Sequence, residues 1–253
     1  MDDVAVARRA LSLLDLTELS DVCSEAAVEK ILGAAVSKHG KVAAVCVWPQ
    51  FVKLSRRRLD GSGVRIATVV NFPSGDGRVD QVVDDVGECL NDGADEIDLV
   101  LPYKAFLAGD AARAKEMVEA VDQTLNEPAL LKVILETGEY PDQAAVARAS
   151  KLAIDAGADF IKTSTGKSKT SATLDAVRTM LNAIKASDRA IGLKPSGGIR
   201  TIADARAYLA LADEIMGPDW ANARTFRFGA SGLLGAITAT LEGSAPTPTN
   251  ATY

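Results

Sequence analysis

Eight apolar runs of strand length recur along the chain, and segments of helical period lie between most of them. The runs are LLDLT (13–17), VAAVCV (42–47), RIATVV (65–70), EIDLVL (96–101), LKVILE (131–136), FIKTS (160–164), IGLKP (191–195) and TFRFG (225–229). In VDQVVDDVGECL (79–90), Val82, Val83, Val86 and Leu90 fall on one helical face. AARAKEMVEAVDQTL (111–125) is rich in strong helix formers, and similar patterns fill 142–156, 174–186 and 201–212. Strands alternating with helices make βαβ units around a parallel sheet. Eight of them in 253 residues match a single closed (β/α)8 TIM barrel of the α/β class. A doubly wound open sheet is the alternative. No GxGxxG follows the early strands, so a dinucleotide site has no support. The barrel is expected over 1–242. The rest, GSAPTPTNATY (243–253), is Pro/Thr/Ser-rich and is expected to be a flexible tail.

One of these strands contains a lysine. GADFIKTSTGK (157–167) reads as a buried strand, yet Lys162 follows Phe160 and Ile161. Burying an ammonium is costly unless it is paired or neutralised. The ordinary role of a strand lysine is to guard a sheet edge, but a closed barrel has no edges. Lys194, in IGLKPSGGIR (191–200), repeats the situation on the next strand. Adjacent strands lie about 5 Å apart, so the two ammonium groups lower each other's pKa. A neutral lysine attacks carbonyls, and lowering its pKa by three units takes about 4 kcal/mol from the surroundings.

A local repeat adds a third residue. NDGADEIDLV (91–100) and DAGADFIKTS (155–164) share Gly-Ala-Asp ahead of a strand, with the glycine ending the preceding helix. On this alignment Asp98 stands where Lys162 stands, on strands four and six. Alternate strands of a barrel feed the same interior layer. Asp98 is then either a counter-ion or a proton-transfer group.

Glycine-rich ends follow the last three runs: Gly166-Lys167, Ser196-Gly197-Gly198 and Gly229-Ala230-Ser231-Gly232. Each alone is an ordinary turn. Together they match the phosphate site that barrels build from their last loops, with backbone N–H groups and Lys167 as donors. In LDLTELSD (14–21), Ser20 or Thr17 would cap the next helix, and NFPSG (71–75) is a structural turn or a lip of the pocket.

A formal charge of −6 and an aromatic share of 5% argue against a nucleic-acid footprint or a base-stacking surface. Cys23, Cys46 and Cys89 are scattered and suggest no disulfide framework. His39, the single histidine, sits in a helix-end or loop context and reads as solvated. It nearly excludes a Ser-His-Asp triad or a His-rich metal site. No secretory signal or bilayer-spanning run is visible, so a reduced, cytoplasmic setting is expected.

LDLTELSD, NFPSG, GADEIDLVLPYKAFLAG, LLKVILETGE, GADFIKTSTGK, GLKPSGGIR and FRFGAS, in that order, resemble the deoxyribose-phosphate aldolases, which are class I aldolases. The resemblance runs over nearly the whole chain. It implies a (β/α)8 barrel that reversibly cleaves 2-deoxy-D-ribose 5-phosphate to D-glyceraldehyde 3-phosphate and acetaldehyde. It implies no metal and no cofactor, and it suggests a homodimer without nucleic-acid or membrane partners. Carried onto this sequence, Lys162 forms the Schiff base, Lys194 tunes it and Asp98 handles protons. Asp15, Thr17 and Cys46 join the substrate site, with Thr165, Gly166, Lys167, Gly197, Gly198, Ser231 and Gly232 around the substrate and its phosphate. Related enzymes often carry two serines where this chain has Ser231 and Gly232; a backbone N–H can serve there, so weaker phosphate discrimination is the most that is expected. Tyr253 matches a terminal tyrosine thought to relay a proton in related enzymes. Two rivals stay open: a different phosphosugar barrel, such as another Schiff-base aldolase or an imine-free isomerase, and a phosphometabolite-binding protein without activity.

Overall fold

The computed structural model describes residues 1–244. Eight strands carry the architecture: β1 (Leu14–Glu18), β2 (Ala44–Val47), β3 (Arg65–Val70), β4 (Glu96–Val100), β5 (Leu130–Ile134), β6 (Phe160–Lys162), β7 (Gly192–Lys194) and β8 (Phe228–Ala230). All pair in parallel, in the order β8-β1-β2-β3-β4-β5-β6-β7. The two ends of that order meet. Leu193 bridges Phe226 and Ser196 bridges Gly229, supported by Leu193 N to Thr225 O (2.8 Å) and Arg227 N to Leu193 O (2.9 Å). The sheet is a closed barrel.

Among the described residues ten helices surround it: α1 (Asp3–Ser12), α2 (Glu25–Ala34), α3 (Val52–Arg58), α4 (Val79–Asn91), α5 (Tyr103–Leu107), α6 (Ala111–Thr124), α7 (Gln143–Asp155), α8 (Leu174–Lys185), α9 (Ile202–Met216) and α10 (Leu233–Glu242). The five helices expected from periodicity are there, with boundaries shifted by up to four residues. On α4 the buried stripe is Val82, Val86 and Cys89, while Val83 and Leu90 sit half-buried at its edges. Helix α2 starts from Ser24, whose side chain accepts from Ala27 N (3.3 Å). Ser20 and Thr17 do not cap it. Thr17 Oγ1 is turned inward and donates to Asp15 O (2.8 Å). A short hairpin, Val36–Ser37 with Gly40–Lys41, precedes β2. His39 lies in its turn and is not freely solvated: its side chain is 17% exposed and faces Glu242 at 3.5 Å. The expected tail falls outside the described residues except for Gly243 and Ser244.

Strand side chains alternate between two environments. Outward residues such as Ile97, Leu99, Leu131, Val133, Ile161 and Leu193 join the helices in one large apolar core. Inward residues of β2 and β3 form a small second cluster of Ala44, Cys46, Ala67 and Val69 with Leu19. Much of the rest of the interior is charged, with Phe160 packed among the charges. Close packing there depends on Gly192: a Cβ at this position would lie 2.3 Å from Phe160 Cε1. Gly192→Ala is therefore expected to cost about 1–3 kcal/mol through overpacking. Urea denaturation followed by circular dichroism measures it, and an unchanged midpoint would show that the ring has room to move.

Candidate active site

Registration places Lys162 directly beside Lys194, and Asp98 beside Lys132. Asp98, Lys162 and Lys194 therefore meet inside the barrel. Asp98 Oδ2 accepts from Lys162 Nζ (2.8 Å) and from Lys194 Nζ (2.7 Å). The two amines are thus no farther apart than the sum of those bonds. All three residues are fully buried. This is the layer that the Gly-Ala-Asp repeat predicts for Asp98 and Lys162 from strands four and six, and Lys194 joins it from the neighbouring strand seven.

The constellation extends further than the sequence suggests. Lys132 Nζ contacts Asp98 Oδ1 (2.8 Å) and Glu96 Oε2 (2.6 Å). Lys194 Nζ also contacts Asp15 Oδ2 at 2.7 Å. Arg227 donates to Asp15 Oδ1 (2.6 Å) and to Glu96 Oε1 (2.8 Å), and its guanidinium carbon lies 5.7 Å from the centroid of the Phe160 ring. Among the described residues, four buried cations face three buried carboxylates in one continuous network. Lys132, Glu96 and Arg227 were not singled out from the sequence. The signal was the one that marks Lys162, a charge inside an apolar strand run.

Electrostatics follow from this crowding. Burial works to raise the pKa of Asp98, but Lys132, Lys162 and Lys194 outweigh it and hold the carboxyl well below its usual range. Burial is likewise opposed at Asp15, by Lys194, Arg227 and Lys132, and at Glu96, chiefly by Lys132 and Arg227. Both stay ionised. The Cys46 thiol, inside the barrel, is pushed upward by burial, which outweighs the nearby lysines.

The glycine-rich loops gather at the carboxyl ends of the strands. Gly166, Lys167, Gly197 and Gly198 line a cleft of about 690 Å³ together with Ser20, Asp21, Ser168, Lys169 and Arg200. Gly166 and Gly198 both have φ of 81°, and their N–H groups have no acceptor among the described residues. Lys167 Nζ is paired with Asp21 Oδ1 at 2.7 Å. Ser231 and Gly232 follow β8 and open α10, beside Gly229, whose carbonyl accepts from Gly197 N (3.3 Å). Thr165 is buried behind the cleft. NFPSG does not reach this cleft. Asn71, at φ 55°, ties its turn by donating Nδ2 to Val100 O and accepting from Gly77 N, and the segment lines a separate groove along α4. Tyr253 lies outside the described residues.

A closed parallel barrel with buried charged groups on its strands and a glycine-lined cleft at their carboxyl ends is the architecture of a barrel enzyme. Residues 7–234 match the model of the DeoC/LacD family aldolases, and the chain belongs to that family. It is 51% identical over 237 residues to the deoxyribose-phosphate aldolase of Agrobacterium fabrum (strain C58), covering 93% of this chain and 92% of that one. A Toxoplasma gondii structure given the name deoxyribose-phosphate aldolase superposes with a TM-score of 0.88 at 27% identity, over 97% of this chain and 99% of the other. The tetrameric deoxyribose phosphate aldolase of Aeropyrum pernix shares the fold, with a TM-score of 0.76 at 23% identity over 94% of this chain and 92% of that one. Among the described residues no helix is long and apolar enough to cross a membrane.

The depressed carboxyl pKa values fix the sign of the acid response. A group whose folded-state pKa lies below its unfolded value stabilises the fold above the unfolded value, and that contribution is lost as pH falls towards the folded value. Stability is therefore expected to hold from pH 7 to about 4.5 and to fall steeply below about pH 4, the unfolded carboxyl range. Thermal melts across this interval test it, and a melting temperature that rises on acidification would contradict it. Asp98→Asn is expected to lose about 3–5 kcal/mol at pH 7, because it leaves buried lysines without their shared charge.

Proposed function

We propose that this chain cleaves 2-deoxy-D-ribose 5-phosphate reversibly to D-glyceraldehyde 3-phosphate and acetaldehyde, in the breakdown of deoxyribose phosphates. Lys162 is the Schiff-base nucleophile. The observation that carries this reading is the single Asp98 oxygen shared by Lys162 and Lys194. It holds two amines within mutual repulsion range in a dry interior, where a like charge and burial both disfavour the charged form.

The steps follow from that arrangement. Neutral Lys162 adds to the C1 aldehyde of the open-chain sugar, and loss of water gives a protonated imine. Asp98, acting through water and with Lys194, takes the proton of the C3 hydroxyl. The C2–C3 bond breaks. Its electron pair becomes the C1–C2 double bond of an enamine, and C3 becomes the aldehyde carbon of glyceraldehyde 3-phosphate. Protonation at C2 and hydrolysis of the imine free acetaldehyde and restore Lys162. Asp15 orients Lys194, and Thr17 and Cys46 complete the wall towards β1 and β2. The phosphate sits in the cleft of Gly166, Lys167, Gly197 and Gly198, with Ser231 and Gly232 at the start of α10. Tyr253 is proposed to assist proton transfer at C2.

Reduction with borohydride in the presence of deoxyribose 5-phosphate or acetaldehyde tests the assignment. Peptide mapping is expected to find the reduced adduct on Lys162, and Lys162→Met is expected to abolish it. Turnover without any trapped adduct would point to an imine-free isomerase. Binding without turnover would point to a phosphometabolite-binding protein. Asp98→Asn is expected to lower kcat by about 10²–10⁴-fold, the usual share of a general acid–base group.

A further inference from the structure

Behind the glycine cleft lies a buried carboxylate that the mechanism above does not use. Glu136 follows β5 and is 2% exposed. Its backbone is left-handed, with φ 60° and ψ 56°, a conformation that few non-glycine residues adopt and that its surroundings must hold in place. The side chain faces the backbone of the loop after β6. Thr165 N donates to both carboxylate oxygens at 3.3 Å, and Thr165 Oγ1 donates to Oε2 at 2.5 Å. Ser168 Oγ donates to Oε1 at 2.9 Å. Thr165 Oγ1 in turn accepts from Lys167 N at 3.0 Å. The carboxylate thus gathers residues 165 to 168 around itself and leaves Gly166 turned to the cleft.

The same short turn braces the loop at both ends. Thr137 N donates to Thr163 O at 2.9 Å. Gly138 packs so closely on the far end that a Cβ there would lie 2.1 Å from Thr170 O. A negative charge behind an anion cleft opposes phosphate binding by Coulomb repulsion. Its presence is physically sensible when charge-assisted hydrogen bonds are needed to set the loop, since bonds to an ionised acceptor are about twice as strong as neutral ones.

We propose that Glu136 is a positioning residue for phosphate selectivity: it fixes the loop of residues 165 to 168 so that the cleft prefers phosphorylated over unphosphorylated sugars. This rests on the substrate reading given above. Glu136 itself touches no reacting atom.

The test compares kcat/KM for 2-deoxy-D-ribose 5-phosphate with that for 2-deoxy-D-ribose, in the wild-type protein, Glu136→Gln and Glu136→Ala. The ratio is expected to fall about tenfold in Glu136→Gln and further in Glu136→Ala, mainly through a higher KM for the phosphorylated substrate. Thr165→Val breaks the same contact from the loop side and is expected to lower the ratio similarly. It keeps the test open if the Glu136 variants fail to fold. A ratio that rises in Glu136→Gln would mean that the charge acts only by repulsion, and the proposal would be wrong. Equal losses on both substrates, with a lower melting temperature, would make Glu136 a merely structural residue and would also overturn it. If the wild-type protein cleaves neither substrate, the substrate reading itself fails, an outcome distinct from the other two.

Discussion

Asp98 Oδ2 accepts hydrogen bonds from two lysines at once, and much of the barrel interior is organised around that one atom. Two ammonium groups cannot be held so close without a shared anion. That anion in turn cannot be left with its second oxygen bare, and Lys132 occupies it. Glu96 then answers Lys132, Asp15 answers Lys194, and Arg227 ties the two carboxylates together. Buried ion networks of this kind are weak sources of stability, because desolvation offsets most of the Coulomb attraction. The fold is instead held by the outer apolar shell between strands and helices. Stability and chemistry are thereby placed on opposite faces of the same strands.

The interior is divided. Inward residues from β2 and β3 are mostly small and apolar, whereas β4 to β7 and the approach to β8 bring in charges. An aldehyde that reacts with an amine needs both conditions nearby. The apolar wall keeps water from competing and strengthens every charge interaction beside it. In the proposed mechanism the charged wall supplies the nucleophile and the proton handling.

The parts legible in the sequence were those in which a local rule was visibly broken or repeated. Lys162 and Lys194 break an apolar run, and Asp98 shares a Gly-Ala-Asp frame with Lys162, so residue type and spacing brought the three together. Lys132 and Arg227 break the same rule but carry no repeat to align them, and Glu96, inside the repeat, aligns with the apolar Phe160. Their link is the tilt and register of strands remote in sequence, such as 131 positions between Arg227 and Glu96. Glu136 was hidden differently: at the end of LKVILE it reads as a strand-end charge, and only the left-handed backbone turns it towards Thr165. The cap of α2 was misplaced because Ser20, Thr17 and Ser24 all have the right chemistry. Chain direction at the barrel rim, which composition does not encode, selects Ser24.

The Phe160 ring, seated against Gly192 and beside Arg227, has a consequence for traffic through the molecule. At that level a fully buried aromatic ring occupies the barrel interior, on the side of Lys162 away from the glycine-rich loops. On the reading proposed above, a two-carbon fragment on Lys162 would lie deeper than a phosphate held among the loops, so the phosphorylated product would leave first and the small aldehyde last. In the synthetic direction the order would reverse, with acetaldehyde loaded before the phosphorylated acceptor.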